Sequence, residues 1–214
     1  MNNDSFSILR KFRPSDLNQV KSLFAEGMRA NKAPEGYIRH SLSTDLSSLE
    51  DTYLVDRGTF LVMERLEDGH IVGMVGLQDL SRKAYTAPRI TARTTRPREP
   101  DGDDLNDIDD DNANDDSTNG NDSCDDDEED GNMCELRRMS VHSSERRKGR
   151  GAQLVEKFIC LAKEQGFSGI KVSTGAWMKA AIQFYVAMGF QAKGVTQHSQ
   201  DGKVVPIQHL EMLF

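Results

Sequence analysis

A polar run from Asp101 to Asp130 most constrains how this chain can fold. It consists almost entirely of Asp, Asn, Glu, Gly and Ser, so burial cannot offset the conformational entropy that ordering would cost. Setting aside the 51 residues 82–132 leaves 163 of the 214 residues, which is enough for one domain with a sizeable core. We therefore predict a single domain over residues 1–214, interrupted at about 82–132 by a disordered insertion that is first basic and then acidic.

The net charge is unevenly distributed along the chain. Residues 82–132 contain six Lys or Arg and seventeen Asp or Glu, a charge of −11, against −8 for the whole protein. The remainder therefore carries +3, a balance that suits an anionic ligand without proving one. The acidic run favours a basic protein partner or a solvated spacer, and nothing in it indicates direct nucleic-acid binding.

The cysteines and the amino terminus bear on the cell compartment. Cys124, Cys134 and Cys160 lack metal-ligand spacing, and reduced thiols are typical of cytosolic or nuclear proteins. We expect no metal. Neither a secretory signal pattern nor an apolar run of ~20 residues is present, so we expect no membrane association. The predicted location is the cytoplasm, with the nucleus as the alternative.

Apolar periodicity on both sides of the insertion predicts a mixed α/β fold. Helix and strand signals alternate, and Gly166 and Gly189 stand where predicted helices end. The predicted strands are Phe6–Leu9, Thr59–Glu64, His70–Leu77, Cys134–Val141, Phe167–Ser173, Phe190–Val195 and Val204–Phe214. The predicted helices are Leu17–Met28 (capped by Ser15 or Asp16), Tyr37–Leu49, Gly149–Gln165 and Ala176–Met188.

The segment from Arg146 to Gln153 carries the clearest signal for a ligand. It follows a predicted strand and contains Gly149-x-Gly151 at the start of a predicted helix. Glycines allow the backbone to approach a ligand closely, and the first amide groups of a helix attract anions. Arg146, Lys148 and Arg150 add positive charge. The pattern indicates a pyrophosphate site, although a basic loop that merely begins a helix is the alternative.

Two motifs resemble those of the GNAT acetyltransferase superfamily. Arg146-x-x-Gly149-x-Gly151 is similar to its Arg/Gln-x-x-Gly-x-Gly/Ala loop, and Ala181-x-x-Phe184-Tyr185-x-x-x-Gly189-Phe190 is similar to its second signature. The resemblance covers about 56 residues, Glu135–Phe190, and looks closest to the camello-like branch, without that branch's membrane segment. It implies a mostly antiparallel sheet of about six to seven strands, splayed between strands 4 and 5, with about four flanking helices.

The same resemblance implies site roles, with acetyl-CoA as the acyl donor. Backbone amides from Lys148 through Gly149, Arg150 and Gly151 to Ala152 would bind the pyrophosphate, helped by Gln153. Main-chain groups of Met139 and Val141 would pair with the pantetheine arm. The family often has an Asn where this chain has Met178, so a hydrogen bond to the cofactor is lost there.

Two residues are predicted to be catalytic. Tyr185 matches the family tyrosine that protonates the departing thiolate, and a phenol suits that task better than that of a base. Glu135, six residues before Val141, is a candidate general base, and a water relay is the alternative. His198 and His209 show no spacing that suggests a metal site or a triad.

We therefore predict an N-acetyltransferase that transfers an acetyl group to a primary amine of a small molecule or a protein by direct attack. One alternative is a non-catalytic acyl-CoA-binding module with an acidic docking insertion. The other is a histone-like lysine acetyltransferase.

Overall fold

The computed structural model describes residues 6–80, 132–200 and 203–214, so the predicted insertion, apart from Asn132, lies outside the described residues. Seven strands form one sheet: β1 Ser7–Lys11, β2 Thr59–Arg65, β3 Ile71–Asp79, β4 Met133–Val141, β5 Gly169–Gly175, β6 Gln191–Gln200 and β7 Lys203–Leu213. Five α-helices flank it: α1 Leu17–Ala30, α2 Glu35–Ser43, α3 Leu49–Tyr53, α4 Arg150–Glu164 and α5 Lys179–Ala187.

The sheet has the strand order β1-β2-β3-β4-β5-β7-β6. Every neighbouring pair is antiparallel except β4 and β5, which are parallel. The predicted mixed α/β class and mostly antiparallel sheet are confirmed.

The predicted single helix from Tyr37 to Leu49 is wrong, because α2 ends at Ser43 and a turn leads from it to the start of α3 at Leu49. α2 ends where the Thr44 hydroxyl donates to the carbonyl of His40, at 2.7 Å. The Ser47 amide then bonds the Thr44 carbonyl at 2.9 Å, which closes a turn before α3. Ser and Thr side chains offer the backbone such alternatives to helical hydrogen bonds. The described part of the chain thus has five α-helices where about four were expected.

Two apolar cores lie on opposite faces of the sheet. On one face, α4 and α5 cover apolar residues of β2, β3, β4, β5 and β7, with Leu154, Phe158 and Val172 nearly inaccessible to solvent. On the other, α1, α2 and α3 pack on β2 and β3 around residues such as Phe24 and Phe60. Burial of side chains of this size stabilises the fold by about 1.5–3 kcal/mol each.

The ends of the chain that border residues 81–131 lie side by side. Asp79 of β3 is the partner of Cys134 of β4, and the Leu80 amide donates to the Met133 carbonyl at 3.1 Å. Arg57 joins both ends, since it bonds Asp79 at 2.8 and 3.1 Å and the side chain of Asn132 at 2.8 Å. The described chain therefore leaves and re-enters the sheet at one place.

No helix within residues 6–80, 132–200 and 203–214 is long and apolar enough to cross a membrane.

Candidate active site

The parallel strands β4 and β5 separate part-way along their length. They pair from Met133 and Gly169 to Leu136 and Val172, and no β4–β5 pair follows in the described chain. β5 continues paired with β7 as far as Gly175, whereas the rest of β4 pairs with β3. The separation opens a cleft between the fourth and fifth strands and leaves one edge of β4 available for hydrogen bonds.

A bulge bends β4 where the cleft opens. The register between β3 and β4 shifts between Met74 and Gly76, and Arg138 opposite the shift has a φ of 53°. Left-handed backbone conformation is unfavourable for a residue with a Cβ atom, by roughly 1–2 kcal/mol. Tertiary contacts of Arg138 must therefore stabilise the bulge.

Arg138 is held by a buried network. Its guanidinium donates two hydrogen bonds to Asp45, at 2.6 and 2.7 Å, and one to the Tyr37 hydroxyl at 2.8 Å. The side chain of Arg138 is 6% exposed, and the Tyr53 hydroxyl also donates to Asp45, at 2.6 Å. Burial raises the pKa of Asp45, but the hydrogen bonds and charge of Arg138, the hydrogen bond from Tyr53 and the charge of Arg137 together hold it below its ordinary value. The network ties the bulge to the α2–α3 connection.

The loop before α4 has the backbone geometry of an anion site. Arg147 and Gly149 both have positive φ, 61° and 77°, with Lys148 between them. Alternating right- and left-handed conformations make successive amides converge on a concave nest that binds anions. The Gln153 amide, which donates to the Gly149 carbonyl at 3.1 Å, begins the hydrogen bonding of α4. The amides before Gln153 in the first turn therefore face the nest without helical acceptors.

The side chains of this loop are organised by Glu145, a residue that sequence reasoning missed. Its carboxylate is buried and lies 3.1 Å from Lys148 Nζ and 3.6 Å from Arg150 Nε. Arg146 Nε donates to the Val141 carbonyl at 3.0 Å, and Arg150 also approaches Gln153 at 3.4 Å. These contacts fix the loop against β4, and the backbone amides remain the principal donors for an anion.

Gly151 brings the loop, the bulge and α5 together. A Cβ atom there would lie 3.3 Å from Met139 Cε and 3.4 Å from Phe184 Cζ. Ala152 occupies the same first turn of α4. A side chain larger than a methyl group at this position would press on Met139 and Phe184, so the turn packs closely on β4 and α5.

Tyr185 points towards the bulge. Its hydroxyl donates to Met139 Sδ at 3.4 Å, and its ring packs edge-on against Phe184 and Phe190. The residue is 7% exposed, and burial raises the pKa of its phenol well above the ordinary value. Tyr185 is therefore an uncharged phenol beside the part of β4 that has separated from β5.

Glu135 lies apart from this group. It precedes the separation of the strands, where its Cα partners are Lys171 of β5 and Gln78 of β3. Its carboxylate is 3.8 Å from Arg137 Nε and 14% exposed. Since successive side chains alternate between faces, Glu135 and Tyr185 lie on opposite faces of the sheet.

Two further features border the cleft through contacts that the sequence does not predict. His209 of β7 has hydroxyl groups on both ring nitrogens, those of Ser173 and Thr196. The indole nitrogen of Trp177 donates to the Asn31 carbonyl at 3.1 Å, which links the β5–α5 connection to the end of α1. These pairs are far apart in sequence, so no local pattern reveals them.

Comparison with known proteins decides the family. The model of the acetyltransferase (GNAT) family matches residues 19–190, most of the chain. This chain belongs to the acetyltransferase (GNAT) family. The predicted membership of the GNAT superfamily is thereby confirmed, and with it the prediction that the chain is an acyltransferase.

Relatives and structures within the GNAT family agree with this assignment. N-acetyltransferase 8 of Rattus norvegicus is 25% identical over 161 residues, which are 75% of this chain and 52% of that protein. N-acetylaspartate synthetase of Xenopus tropicalis is 40% identical over 70 residues, 33% of this chain and 26% of that protein. The chain therefore spans about half the length of the former relative and matches a quarter of the latter.

Solved GNAT structures share the fold. An acetyltransferase of Staphylococcus aureus Mu50 superposes with a TM-score of 0.62 at 18% identity, covering 97% of this chain and 99% of that one. A Salmonella typhimurium protein described as an acetyltransferase, solved with its cofactor acetyl-CoA, superposes with a TM-score of 0.55 at 12% identity, covering 97% and 93%.

Proposed function

We propose that this GNAT protein transfers an acetyl group from acetyl-CoA to a primary amine of a small molecule or a protein. One observation carries the proposal: the nest formed at Arg147 and Gly149 opens next to the unpaired edge of β4. A diphosphate and an extended amide-containing arm need those two features side by side. Acetyl-CoA would supply the acetyl thioester.

The donor would be held mainly by backbone groups. Amides from Lys148 to Ala152 bind the pyrophosphate, with Gln153 assisting, because the helix dipole and the nest both favour negative charge. Main-chain groups of Met139 and Val141 pair with the pantetheine arm as an added strand pairs with a sheet edge. A small residue at position 151 lets the turn pack against Met139 and Phe184.

The two proton transfers fall to different groups. The buried phenol of Tyr185 protonates the departing thiolate, a role supported by the position of its hydroxyl beside Met139 of β4 and by the neutral state of a phenol near neutral pH. The proton of the attacking amine goes to a base on the acceptor side. Glu135 and a water relay are the two candidates that the sequence predicts.

The acceptor is an amine whose identity we propose to establish with a panel. The name of the Xenopus relative specifies N-acetylaspartate, so L-aspartate belongs in the panel. L-lysine, spermidine and a lysine-rich peptide represent the other acceptor classes. Binding of a basic protein through the acidic run, and a cytoplasmic or nuclear location, remain part of the proposal.

Replacement of Tyr185 by Phe tests the function. The change removes one hydroxyl, so we expect CoA release with the best amine to fall by about 10²-fold or more. The calorimetric affinity for acetyl-CoA should stay unchanged, since the ring packing is kept. Unaltered turnover of Tyr185→Phe would remove the phenol from the mechanism. Acetyl-CoA binding by the wild type without transfer to any amine would leave an acyl-CoA-binding module.

A further inference from the structure

A hydrogen-bonded cluster lies on the sheet face away from α4 and α5. His209 Nδ1 is 3.2 Å from Ser173 Oγ, and its Nε2 is 2.7 Å from Thr196 Oγ1. Ser173 and His209 are Cα partners across β5 and β7. With the ring proton on Nε2, the imidazole donates to Thr196 and its Nδ1 lone pair accepts from the Ser173 hydroxyl.

Ser173 stands at the border of the cleft. The preceding residue, Val172, is the last of β5 to pair with β4, and its side chain belongs to the core under α4. Because side chains alternate along a strand, Ser173 points to the opposite face, where it is exposed. Tyr185 belongs to the core on the Val172 side. The Ser173 hydroxyl and the Tyr185 phenol thus lie on opposite sides of the sheet at the cleft.

The surroundings of His209 keep its ring neutral. Burial is the main influence on the pKa of His209 and lowers it below its ordinary value. The charge of Glu135 raises the pKa by less than burial lowers it, and the charge of Lys171 lowers it further. The charged side chains of Glu211, on β7 itself, and Lys193, on β6, pair with each other at 3.7 Å. Near neutral pH His209 therefore has a lone pair with which to take a proton.

We propose that Ser173 and His209 form the relay that accepts the proton of the acceptor amine. This inference rests on the proposed acetyl transfer. Thr196 is a positioning residue: in the tautomer with the ring proton on Nε2, its hydroxyl accepts that proton's hydrogen bond, and Nδ1 accepts from Ser173.

The transfer balances as follows. The amine nitrogen bonds the acetyl carbon and the carbon–sulfur bond breaks. The amine proton passes to Ser173 Oγ while the Ser173 proton passes to His209 Nδ1. The thiolate takes the phenol proton of Tyr185. The imidazolium then loses its proton to solvent and the phenolate regains one from it. Ser173 thus accepts the amine proton on one face of the sheet, and Tyr185 donates a proton to the thiolate on the other. Neither side chain has to serve both steps.

Variants of the relay separate a catalytic role from a structural one. In His209→Gln and Ser173→Ala, we expect kcat/KM for the best amine of the panel to fall by about 10²-fold, the contribution typical of a positioned base. The affinity for acetyl-CoA should be unchanged, because neither residue lies on the donor side. His198→Gln is the matched control, as His198 is a histidine of β6 two residues beyond Thr196, and it should retain full activity.

The pH profile distinguishes His209 from Glu135 as the base. The wild-type kcat/KM should decline on the acid side as His209 takes up a proton, and this limb should vanish in His209→Gln. Glu135→Gln removes the charge that raises the pKa of His209, so the acid-side decline should persist and move to lower pH. If Glu135→Gln lost both its kcat/KM and the decline of kcat/KM at acid pH, the relay would be overturned and Glu135 would be the base.

A measurement independent of turnover completes the test. Nuclear magnetic resonance of the His209 ring should show the Nε2–H tautomer and a pKa below ~6.5, and Thr196→Val should increase the other tautomer. Equal rates and profiles for wild type and His209→Gln would overturn the relay while leaving acetyl transfer intact. Absence of CoA release by the wild type with every amine would overturn acetyl transfer and the relay together.

Discussion

Gly149 and Gly166 lie at the two ends of α4 in the same left-handed conformation. Their φ values are 77° and 78°, and a Cβ atom at either position would meet no neighbour within 4 Å. The two glycines therefore differ only in location, one beside the anion site and the other at the far end of the helix. Substitution by Ala should cost each about 1–2 kcal/mol of stability through backbone strain.

We expect Gly149→Ala to weaken acetyl-CoA binding about tenfold, because strain at that position distorts the amides of the nest. Gly166→Ala should lower the free energy of unfolding by the same amount as Gly149→Ala, about 1–2 kcal/mol. It should leave the acetyl-CoA affinity unchanged. Calorimetric titration and urea unfolding of both variants provide the measurement. Equal effects of the two substitutions on affinity would show that the nest does not bind the donor.

The site residues that sequence could predict are those within local motifs. Gly149, Gly151 and Tyr185 stand in two short patterns, and the structure places Gly151 and Tyr185 around Met139 as the resemblance implied. The partners of Arg138 and His209 come from residues 93 and 36 positions away. Such contacts depend on strand register and helix packing, which no local pattern encodes.

At the scale of elements, the buried pair of Arg138 and Asp45 fixes the bulge of β4. Asp45→Asn leaves a buried guanidinium without its counter-charge, so we expect a loss of about 3 kcal/mol in the free energy of unfolding. Asp68→Asn removes a carboxylate from a surface pair, 2.6 Å from Arg65, and should scarcely change the urea midpoint. A loss for Asp45→Asn no larger than that for Asp68→Asn would exclude the network as the anchor of the bulge.

The same pair predicts a dependence of stability on pH. The pKa of Asp45 is lower in the folded protein than its ordinary value. Its stabilising contribution is therefore present above about pH 4 and is lost as the pH falls towards the lowered pKa. Urea unfolding between roughly pH 6 and 3 should show a shallower decline for Asp45→Asn than for the wild type. Parallel declines would contradict this account.

The boundaries of helices and strands agree with the predicted ones where apolar periodicity is strong. β4 and α4 begin and end within one residue of prediction, because the Val141 and Gly166 ends carry clear signals. The prediction for the stretch from Tyr37 to Leu49 is wrong because Ser and Thr hydroxyls bond the backbone there. The ion pair of Asp45 with Arg138 also holds the turn in place. The apolar pattern alone could not show that a turn provides better hydrogen bonds for the backbone of this stretch than a continuous helix does.

At the scale of the whole molecule, residues 81–131 interrupt two strands that remain paired at their ends. Since the Leu80 amide bonds the Met133 carbonyl, an Asn-Gly linker between Leu80 and Asn132 would close a three-residue hairpin loop with Asn132 as its last residue. Asn132 should be kept, because its side chain donates to the Gly166 carbonyl at 2.7 Å and accepts from Arg57.

We expect this deletion to leave the melting temperature and acetyl-CoA affinity unchanged, and to abolish any binding of a lysine-rich peptide that depends on the acidic run. Differential scanning fluorimetry and peptide titration of both forms test this. A large loss of stability would contradict the view that the fold is complete without the inserted residues.

The central claim is that the nest before α4 binds acetyl-CoA, and thermal unfolding with and without that ligand tests it most directly. At 100 times its dissociation constant the ligand adds ~2.7 kcal/mol, which raises the melting temperature by about 5–10 °C for a domain of this size. We predict that shift for the wild type and its absence in folded Gly151→Trp, whose side chain would collide with Met139 and Phe184 and displace the turn. An equal shift in both proteins, or none in the wild type at millimolar acetyl-CoA, would contradict the account.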